Sequence, residues 1–202
     1  TVAREGTLGA SAGVLTGSTG PVLCAGVADV VVVPAQDAAG TERWFAVQRA
    51  SAEVRTVDAL DRTQRLATLS LDAVPAVELP GVERPFVEAL GTTLAASIAV
   101  GGAAWCVDTA AGYAADRQQF GRPIGQFQAV KHRCADMLVR LEQARAVVWD
   151  AAAALDAAPH GAAATTADDA LVATAATGAL ALDAFVDVAK DCIQVLGGIG
   201  FT

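Results

Sequence analysis

Short apolar runs alternate with turn-forming segments through roughly the first eighty residues of the chain. The clearest runs occupy residues 13–17, 29–33 and 43–47, and a polar segment over residues 36–41 separates the last two. Short strands at nearly regular spacing are typical of a small sandwich or barrel. Because residues 30–33 are all valine, we expect a strand there that is buried on both faces. This part of the sequence therefore predicts β-structure.

The periodicity changes near Pro85, where apolar residues begin to recur at steps of three and four. This spacing predicts three long helices, over residues 86–115, 126–157 and 165–194. A Pro-His-Gly break at residues 159–161 separates the second helix from the third. Because these helices are rich in Ala and Gly, their axes can approach closely, as in an antiparallel bundle.

The two patterns together predict an α+β, multi-domain fold. We expect a small β-barrel-like domain over residues 1–82 and an antiparallel helical bundle over residues 83–202. A hydrophobic content of 53% with 18% charged residues is typical of folded globular proteins, so the composition argues against a disordered chain.

Charge and composition narrow the range of partners. The net charge of −8 argues against a protein that binds nucleic acid or an anionic membrane surface. Residues 89–107 carry no charge, yet six of them are Gly, Ser or Thr, and the flanking Glu88 and Asp108 are acidic. A buried helix of a bundle is therefore favoured over a membrane span.

Residue types that bind metals or carry redox chemistry are sparse. The four cysteines, Cys24, Cys106, Cys134 and Cys192, are widely spaced and form no Cys-x-x-Cys pair. We expect them to be small buried thiols in a reducing, cytoplasmic compartment. With two histidines in the chain, the sequence offers little support for a metal site, and we assign none.

The most informative segment lies between the first and second predicted helices. Residues 117–128 read Arg-Gln-Gln-Phe-Gly-Arg-Pro-Ile-Gly-Gln-Phe-Gln. The guanidinium groups of Arg117 and Arg122 suit a diphosphate, an aromatic face can cover a flat heterocycle, and an amide can contact purine edges. An ordinary helical hairpin with exposed arginines is the alternative interpretation.

A second motif, Gln-Val-Leu-Gly-Gly-Ile-Gly over residues 194–200, follows the last predicted helix. The two motifs, in this order and with Ala-Asp-Met at residues 135–137, resemble those of the acyl-CoA dehydrogenase family. The resemblance implies that FAD lies at a subunit boundary, where both motifs hold its adenosine diphosphate. Glycine is needed where the backbone approaches the phosphates. The residues implied in cofactor binding are Arg117, Phe120, Gln128, Gln194, Val195, Leu196, Gly197 and Gly198.

The β half matches the family less closely than the helical half. Ala28-Asp29 and the valine run that follows agree with the family's central β domain. Pro21 and Leu23, however, stand where family members carry the Trp and Thr that contact the flavin ring. The resemblance therefore leaves open whether this chain contacts the ring.

In the family, a glutamate removes the α-proton of an acyl-CoA thioester while the β-hydride passes to the flavin. One of its two positions falls at or next to Gly91, where no carboxylate stands, and the other would lie beyond Thr202. Glu88 is one helical turn away, but an acidic residue near a helix N-terminus is also favoured by the helix dipole. We therefore assign no catalytic residue.

This combination resembles the branch of the family in which two unlike subunits form an α2β2 heterotetramer acting on CoA thioesters of steroid side chains. The resemblance implies an unlike acyl-CoA dehydrogenase subunit as partner, an acyl-CoA substrate and an electron-transfer flavoprotein as acceptor. Two alternatives remain open. One is a self-sufficient homotetrameric fatty-acyl-CoA dehydrogenase whose base lies beyond residue 202, and the other is a flavin-free scaffold.

Overall fold

A computed structural model describes residues 1–158 and 164–201 of the chain. Strands dominate roughly the first eighty residues, and long helices follow them. This arrangement confirms the predicted α+β fold class. The predicted break at residues 159–161 lies outside the described residues.

The chain divides into two compact units, Thr1–Glu88 and the residues from Ala89 onwards. The predicted domain limits of 1–82 and 83–202 stay a prediction. Compactness alone does not show that a unit folds independently, which is what defines a domain.

Seven strands of the first unit form one mixed sheet. Their limits are β1 Gly6–Ser11, β2 Val14–Thr19, β3 Val30–Gln36, β4 Glu42–Gln48, β5 Glu53–Thr56, β6 Ala67–Pro75 and β7 Val77–Glu78. They pair in the order β5-β6-β2-β1-β3-β4-β7, and β1 and β3 are the parallel neighbours in an otherwise antiparallel sheet. In the predicted turn between β3 and β4, Asp37 Oδ1 accepts hydrogen bonds from the amides of Ala39 and Thr41, both 2.9 Å long.

One face of this sheet encloses an apolar core. Because side chains alternate along a strand, every second residue of neighbouring strands contributes to it. Its larger members are Leu8, Leu15, Val31, Val33, Phe45, Val47, Leu69 and Leu71.

The prediction that residues 30–33 are buried on both faces is wrong. Val31 and Val33 are fully buried, whereas Val30 is 38% exposed and Val32 is half-buried. β3 lies in a sheet that packs one face against the core, so alternate valines face away from it. Valine is also favoured at half-exposed strand positions, which is why composition did not distinguish the two cases.

Three long helices follow the sheet. Their limits are α1 Arg84–Asp116, α2 Gln128–Ala157 and α3 Ala164–Leu196. Each predicted helix agrees with the observed one to within two residues at both ends. The apolar period and the Gly- and Pro-containing breaks were therefore sufficient to place them.

Side-chain contacts fix the relative direction of α2 and α3. Thr177 Oγ1 of α3 donates a hydrogen bond to the carbonyl oxygen of Val147 in α2, 2.7 Å away. Nearer the end of α3, Asp191 forms an ion pair with Arg133, close to the start of α2. The two helices are therefore antiparallel, as the bundle prediction requires.

Two glycines allow α1 and α3 to pack closely. A Cβ atom at Gly102 of α1 would lie 2.5 Å from the Phe185 ring of α3. A Cβ atom at Gly178 of α3 would lie 2.9 Å from Cγ2 of Thr92 in α1. These glycines are required by helix packing, and the two helices run in the same direction.

The bundle core contains thiols from all three helices. Cys106 of α1 and Cys192 of α3 are buried, and Cys134 of α2 is half-buried, in one cluster with Met137. Burial, together with the neighbouring Cys192, raises the pKa of the Cys106 thiol to about 11. All four cysteines are free, and Cys24 in the first unit is half-buried.

Two helical stretches of the described residues, α1 and Asp168–Phe201, are long and apolar enough to cross a membrane. Core helices of water-soluble bundles satisfy the same criteria, so this property alone is weak evidence for a span. The predicted absence of a membrane span stays a prediction.

Candidate functional site

A β-hairpin with a two-residue turn connects α1 to α2. Its strands are β8 Gln118–Gln119 and β9 Arg122–Pro123, and Gln119 pairs with Arg122 across the turn. Phe120 and Gly121 form the turn, with φ angles of 54° and 76°. Positive φ at both central residues is the geometry of a type I′ turn, which matches the twist of paired strands. The turn presents the Phe120 ring to solvent, where it is 92% exposed.

Backbone hydrogen bonds hold Arg117 at the base of this hairpin. Its amide donates to the carbonyl oxygen of Tyr113 in the last turn of α1, and its carbonyl accepts from the amide of Ile124, both at 2.8 Å. The guanidinium group, by contrast, has no hydrogen bond or ion pair with any residue that the structure describes. Arg117 thus has a fixed backbone and an exposed cationic group that no described residue pairs with.

A glycine turn over Gly197–Phe201 ends α3. Gly197 has a φ of 64°, a left-handed conformation that commonly ends helices and favours glycine. A Cβ atom at Gly200 would lie 2.9 Å from the carbonyl oxygen of Ile193, because the turn folds back on the last turn of α3. A Cβ atom at Gly198 would meet no atom of the described residues within 4 Å. Gly200 is therefore required by the fold, whereas packing among the described residues does not explain Gly198.

The hairpin base and the glycine turn line one cleft of about 460 Å³ in the second unit. Arg117 and Gly197 are therefore neighbours in space although about eighty residues separate them in the chain. The residues lining the cleft are Tyr113, Arg117, Gln119, Ile124, Val195, Leu196, Gly197, Gly198 and Ile199.

The cleft combines an apolar wall with polar groups that suit a phosphate ester of a flat aromatic base. Tyr113, Ile124 and Val195 supply apolar surface, and Arg117 supplies a positive charge. Because the C-terminus of a helix carries partial negative charge, α3 by itself would repel an anion here. Any bound phosphate would therefore depend on Arg117 and on the backbone amides that the glycine turn leaves uncovered by side chains.

The second arginine of the motif has a different environment. The Arg122 guanidinium lies 4.4 Å from the centroid of the Phe127 ring, a cation–π contact. Phe127 also packs edge-to-face against Phe120, with ring centroids 6.0 Å apart. Arg122 therefore supports the aromatic pair and does not line the cleft.

The structure brings together five of the eight residues predicted to bind the cofactor. Arg117 and Val195 to Gly198 line the cleft. Phe120 at the hairpin tip, Gln128 at the start of α2 and Gln194 near the end of α3 are exposed and do not line it. Their contribution to binding stays a prediction.

Sequence reasoning missed Tyr113, Gln119, Ile124 and Ile199, which also line the cleft. Tyr113 precedes Arg117 by four residues, so the two side chains share a face at the end of α1. That spacing could have identified Tyr113. The others could not be assigned, because their inclusion depends on how the hairpin and the glycine turn meet.

Gly91 and Glu88 are the α1 positions that the sequence analysis considered for a catalytic base. Gly91 is exposed on α1, and a Cβ atom there would meet no atom of the described residues within 4 Å. Glu88 forms ion pairs with Arg84 at 3.6 Å and with Arg4 at 3.9 Å. These ion pairs give Glu88 an electrostatic role. The helix-dipole explanation is not supported, because Glu88 lies beyond the first turn of α1, which contains no acidic residue.

Pro21 and Leu23 lie in an exposed connection between β2 and β3. The Val22 between them is buried and bridges to Ala67, whereas Pro21 is exposed and Leu23 is 46% exposed. Residues 23–27 form turns and no strand. Neither of the two positions that the resemblance matches to the family's flavin-ring contacts carries an aromatic side chain.

The sequence matches the protein family described as "Acyl-CoA dehydrogenase, C-terminal domain" over residues 90–202. It is also 42% identical over 189 residues to acyl-CoA dehydrogenase FadE34 of Mycobacterium tuberculosis. That match covers 93% of this chain and 25% of FadE34.

Two solved structures have the same fold over nearly the whole chain. One is a Tcur3481-Tcur3483 steroid ACAD variant, with a TM-score of 0.82 and 27% identity over 99% of this chain and 56% of that one. The other is the ChsE4-ChsE5 complex from Mycobacterium tuberculosis, with a TM-score of 0.81 and 26% identity over 100% of this chain and 56% of that one. This chain thus spans about a quarter of FadE34 and slightly more than half of each structural relative.

Proposed function

The chain belongs to the acyl-CoA dehydrogenase family, and we propose that it contributes the ADP-binding part of an FAD site in an enzyme that desaturates a CoA thioester. The observation that carries this proposal is the cleft in which Arg117 meets Gly197 and Gly198. FAD, when bound, accepts the hydride from the substrate. The residues of this chain bind and orient its adenosine diphosphate.

The residues present fit a diphosphate. Arg117 offers a guanidinium group without a partner among the described residues, and the open space at Gly198 lets a phosphate approach the backbone closely. Tyr113 and Ile124 provide apolar surface beside these polar groups. The exposed Phe120 ring at the hairpin tip is available to a cofactor that extends beyond this chain.

We propose that an unlike acyl-CoA dehydrogenase unit completes the active site. This chain has no carboxylate at Gly91, its Glu88 is engaged in ion pairs, and Pro21 and Leu23 cannot replace an aromatic contact to the flavin ring. The likeness to the chains of the ChsE4-ChsE5 complex supports a heteromeric arrangement. The partner then supplies the catalytic glutamate and the ring-binding surface.

The unlike unit can be a separate chain or part of the same polypeptide. The 189 matched residues make up 25% of FadE34, whereas the 202 residues of this chain make up 56% of a ChsE chain. FadE34 is therefore about twice as long as that subunit. A polypeptide of such length has room for two acyl-CoA dehydrogenase units.

The substrate class follows from the relatives and is part of the proposal. One of the two structural relatives is a steroid ACAD, which supports the CoA thioester of a steroid side chain as substrate. We further propose an electron-transfer flavoprotein as the electron acceptor and a cytoplasmic location. The acceptor comes from the family resemblance. The location comes from the four free cysteines, which suit a reducing compartment.

Substitution of Arg117 tests the cofactor assignment in the complex with the unlike unit. Loss of a charged contact to a partly buried phosphate costs about 2–5 kcal/mol, so Arg117→Ala should weaken FAD binding by about tenfold or more. Gly198→Ala should also weaken it, because the added methyl group occupies the approach to the backbone. Binding is measured by the fluorescence of released FAD.

Arg145→Ala is the matched control, because Arg145 lies on α2 and pairs only with Glu142 of the same helix among the described residues. It should leave FAD binding unchanged. Undiminished flavin in both Arg117→Ala and Gly198→Ala would refute the cofactor assignment.

A further inference from the structure

We propose that Asp191 is a positioning residue of the cleft, where its carboxylate ties the end of α3 to α2 and thereby fixes the spacing of the two cleft walls. The inference rests on the proposed function, because the spacing matters only if the cleft binds FAD. Asp191 does not line the cleft and acts through the residues that do.

Both carboxylate oxygens of Asp191 are paired. Oδ1 accepts from Nη1 of Arg133, and Oδ2 accepts from Nη1 of Arg140 at 2.8 Å. The two arginines are seven residues apart and therefore lie on one face of α2, two turns from each other. The Asp191 side chain is 17% exposed, so water competes only partly for these contacts.

The position of this ion-pair network relates it directly to the cleft. One wall comes from the connection that leads into α2, with Arg117 and Ile124. The other wall comes from the end of α3, where its first lining residue, Val195, lies one turn after Asp191. Because Arg133 lies in the second turn of α2, the network joins the two walls close to where they meet.

Other ion pairs of these helices cannot have this role. Among the described residues, Glu142 pairs with Arg145 within α2, and Asp187 pairs with Lys190 within α3. Asp191 is different because its partners belong to the neighbouring helix. Replacing its carboxylate by an amide removes the negative charge between two arginines and permits at most one good acceptor contact.

The experiment measures FAD affinity and thermal unfolding of Asp191→Asn in the complex with the unlike unit. We expect FAD affinity to fall on the order of tenfold, as the loss of a charge-assisted hydrogen bond implies. The unfolding midpoint of the flavin-free complex should fall only modestly, because the link between α2 and α3 is weakened while the apolar core of the bundle is unchanged. Asp191→Glu, which keeps the charge, should restore most of the affinity.

Asp187→Asn is the matched control, since it is the same substitution one turn earlier on α3 at a side chain that is 53% exposed. It should bind FAD like the wild type. Unchanged FAD affinity in Asp191→Asn would overturn the proposal. A parallel fall in affinity and unfolding midpoint, with no rescue by Asp191→Glu, would show a purely structural role and overturn it as well.

Arg117→Ala separates this proposal from the one on which it rests. If Arg117→Ala weakens FAD binding and Asp191→Asn does not, only the positioning role fails. If neither substitution affects FAD, the assignment of the cleft itself fails.

Discussion

Phe120 has a backbone conformation that bulky residues seldom adopt. Its φ of 54° belongs to the left-handed region, where a side chain with a Cβ atom costs about 1–2 kcal/mol. The turn type it forms favours Asn-Gly, so the turn alone does not explain a phenylalanine. Strained and exposed residues of this kind concentrate at binding sites, which supports a contact of the ring with the cofactor.

Phe120→Asn should therefore separate stability from binding. Asparagine tolerates the left-handed conformation, and the relief of strain should outweigh the loss of the edge-to-face contact with Phe127, so the unfolding free energy should rise by about 0.5–1 kcal/mol. FAD affinity should fall, because the aromatic surface is lost. Denaturant unfolding of the flavin-free complex and FAD titration provide the two measurements.

Gly121→Ala is the control for this prediction. Gly121 has a φ of 76°, and a Cβ atom there would meet no atom within 4 Å, so the substitution introduces backbone strain without a collision. It should lower stability. Lower stability together with unchanged FAD affinity in Phe120→Asn would contradict the roles given to Phe120.

Sequence reasoning identified only part of the site at this scale. Arg117 and the glycines could be assigned because their chemistry and order match a family pattern, and the structure brings them into one cleft. Gln128, by contrast, does not line this cleft. The role inferred for Asp191 could not be predicted, because its partners lie more than fifty residues away in the chain.

Among the helices, close approach of α1 to α3 depends on a specific glycine. Gly102 faces Phe185, where an added Cβ atom would collide with the ring, whereas its neighbour Gly101 faces open space. The same substitution at adjacent positions should therefore have opposite effects on stability.

Gly102→Ala should destabilise the protein by about 1–3 kcal/mol, the usual cost of overpacking a core. Gly101→Ala should stabilise it by up to about 1 kcal/mol, because alanine is the better helix former. Denaturant unfolding of the two variants is the measurement. Equal effects would show that α1 and α3 do not pack at Gly102 as described.

Because its thiols are buried, the unfolding free energy of the bundle should depend on pH in the alkaline range. Burial, with the neighbouring Cys192, raises the pKa of Cys106 from 9.0 to about 11. The folded protein therefore retains this proton where the unfolded chain loses it. The resulting stabilisation is fully present below pH 9 and is lost as the pH rises towards 11.

The unfolding free energy should consequently fall as the pH rises from 9 to 11. Cys106→Ala should make the unfolding free energy depend less steeply on pH in this window. Any loss of packing would shift the unfolding free energy equally at every pH and would not change this slope. Urea titrations at pH 8, 9, 10 and 11 measure both slopes. Identical slopes would exclude Cys106 as the titrating group.

At the scale of elements, the sequence predicted helices better than the environment of strands. The helix limits followed from an apolar period that persists over thirty residues and from glycine and proline at the ends. The burial of β3 was mispredicted because four consecutive valines fit both a two-faced and a one-faced strand. Only the pairing of the whole sheet decides between them.

At the scale of the whole molecule, many large apolar side chains are exposed to solvent. Large exposed side chains on the helices and the glycine turn include Leu94, Ile98, Trp105, Trp149, Val172, Ile199 and Phe201. Leu94, Ile98 and Trp105 are spaced by four and seven residues and therefore share one face of α1, and an exposed apolar face of this kind is typical of protein interfaces. It supports the proposal that an unlike unit covers part of the bundle, and we expect this chain alone to be poorly soluble or free of flavin.

Catalysis, as proposed here, requires a second, unlike acyl-CoA dehydrogenase unit. The most direct test of this requirement is acyl-CoA-dependent reduction of an artificial electron-accepting dye by this chain, purified with and without that unit. A steroid side-chain CoA thioester and a fatty acyl-CoA serve as the two substrates.

We expect no turnover by the chain alone, since removal of a general base commonly lowers the rate by about 10²–10⁴. Turnover should appear with the unlike unit and should survive Glu88→Gln in this chain. Robust turnover by the isolated chain, abolished by Glu88→Gln, would contradict the claim that the unlike unit supplies the catalytic glutamate. It would place the catalytic base at Glu88.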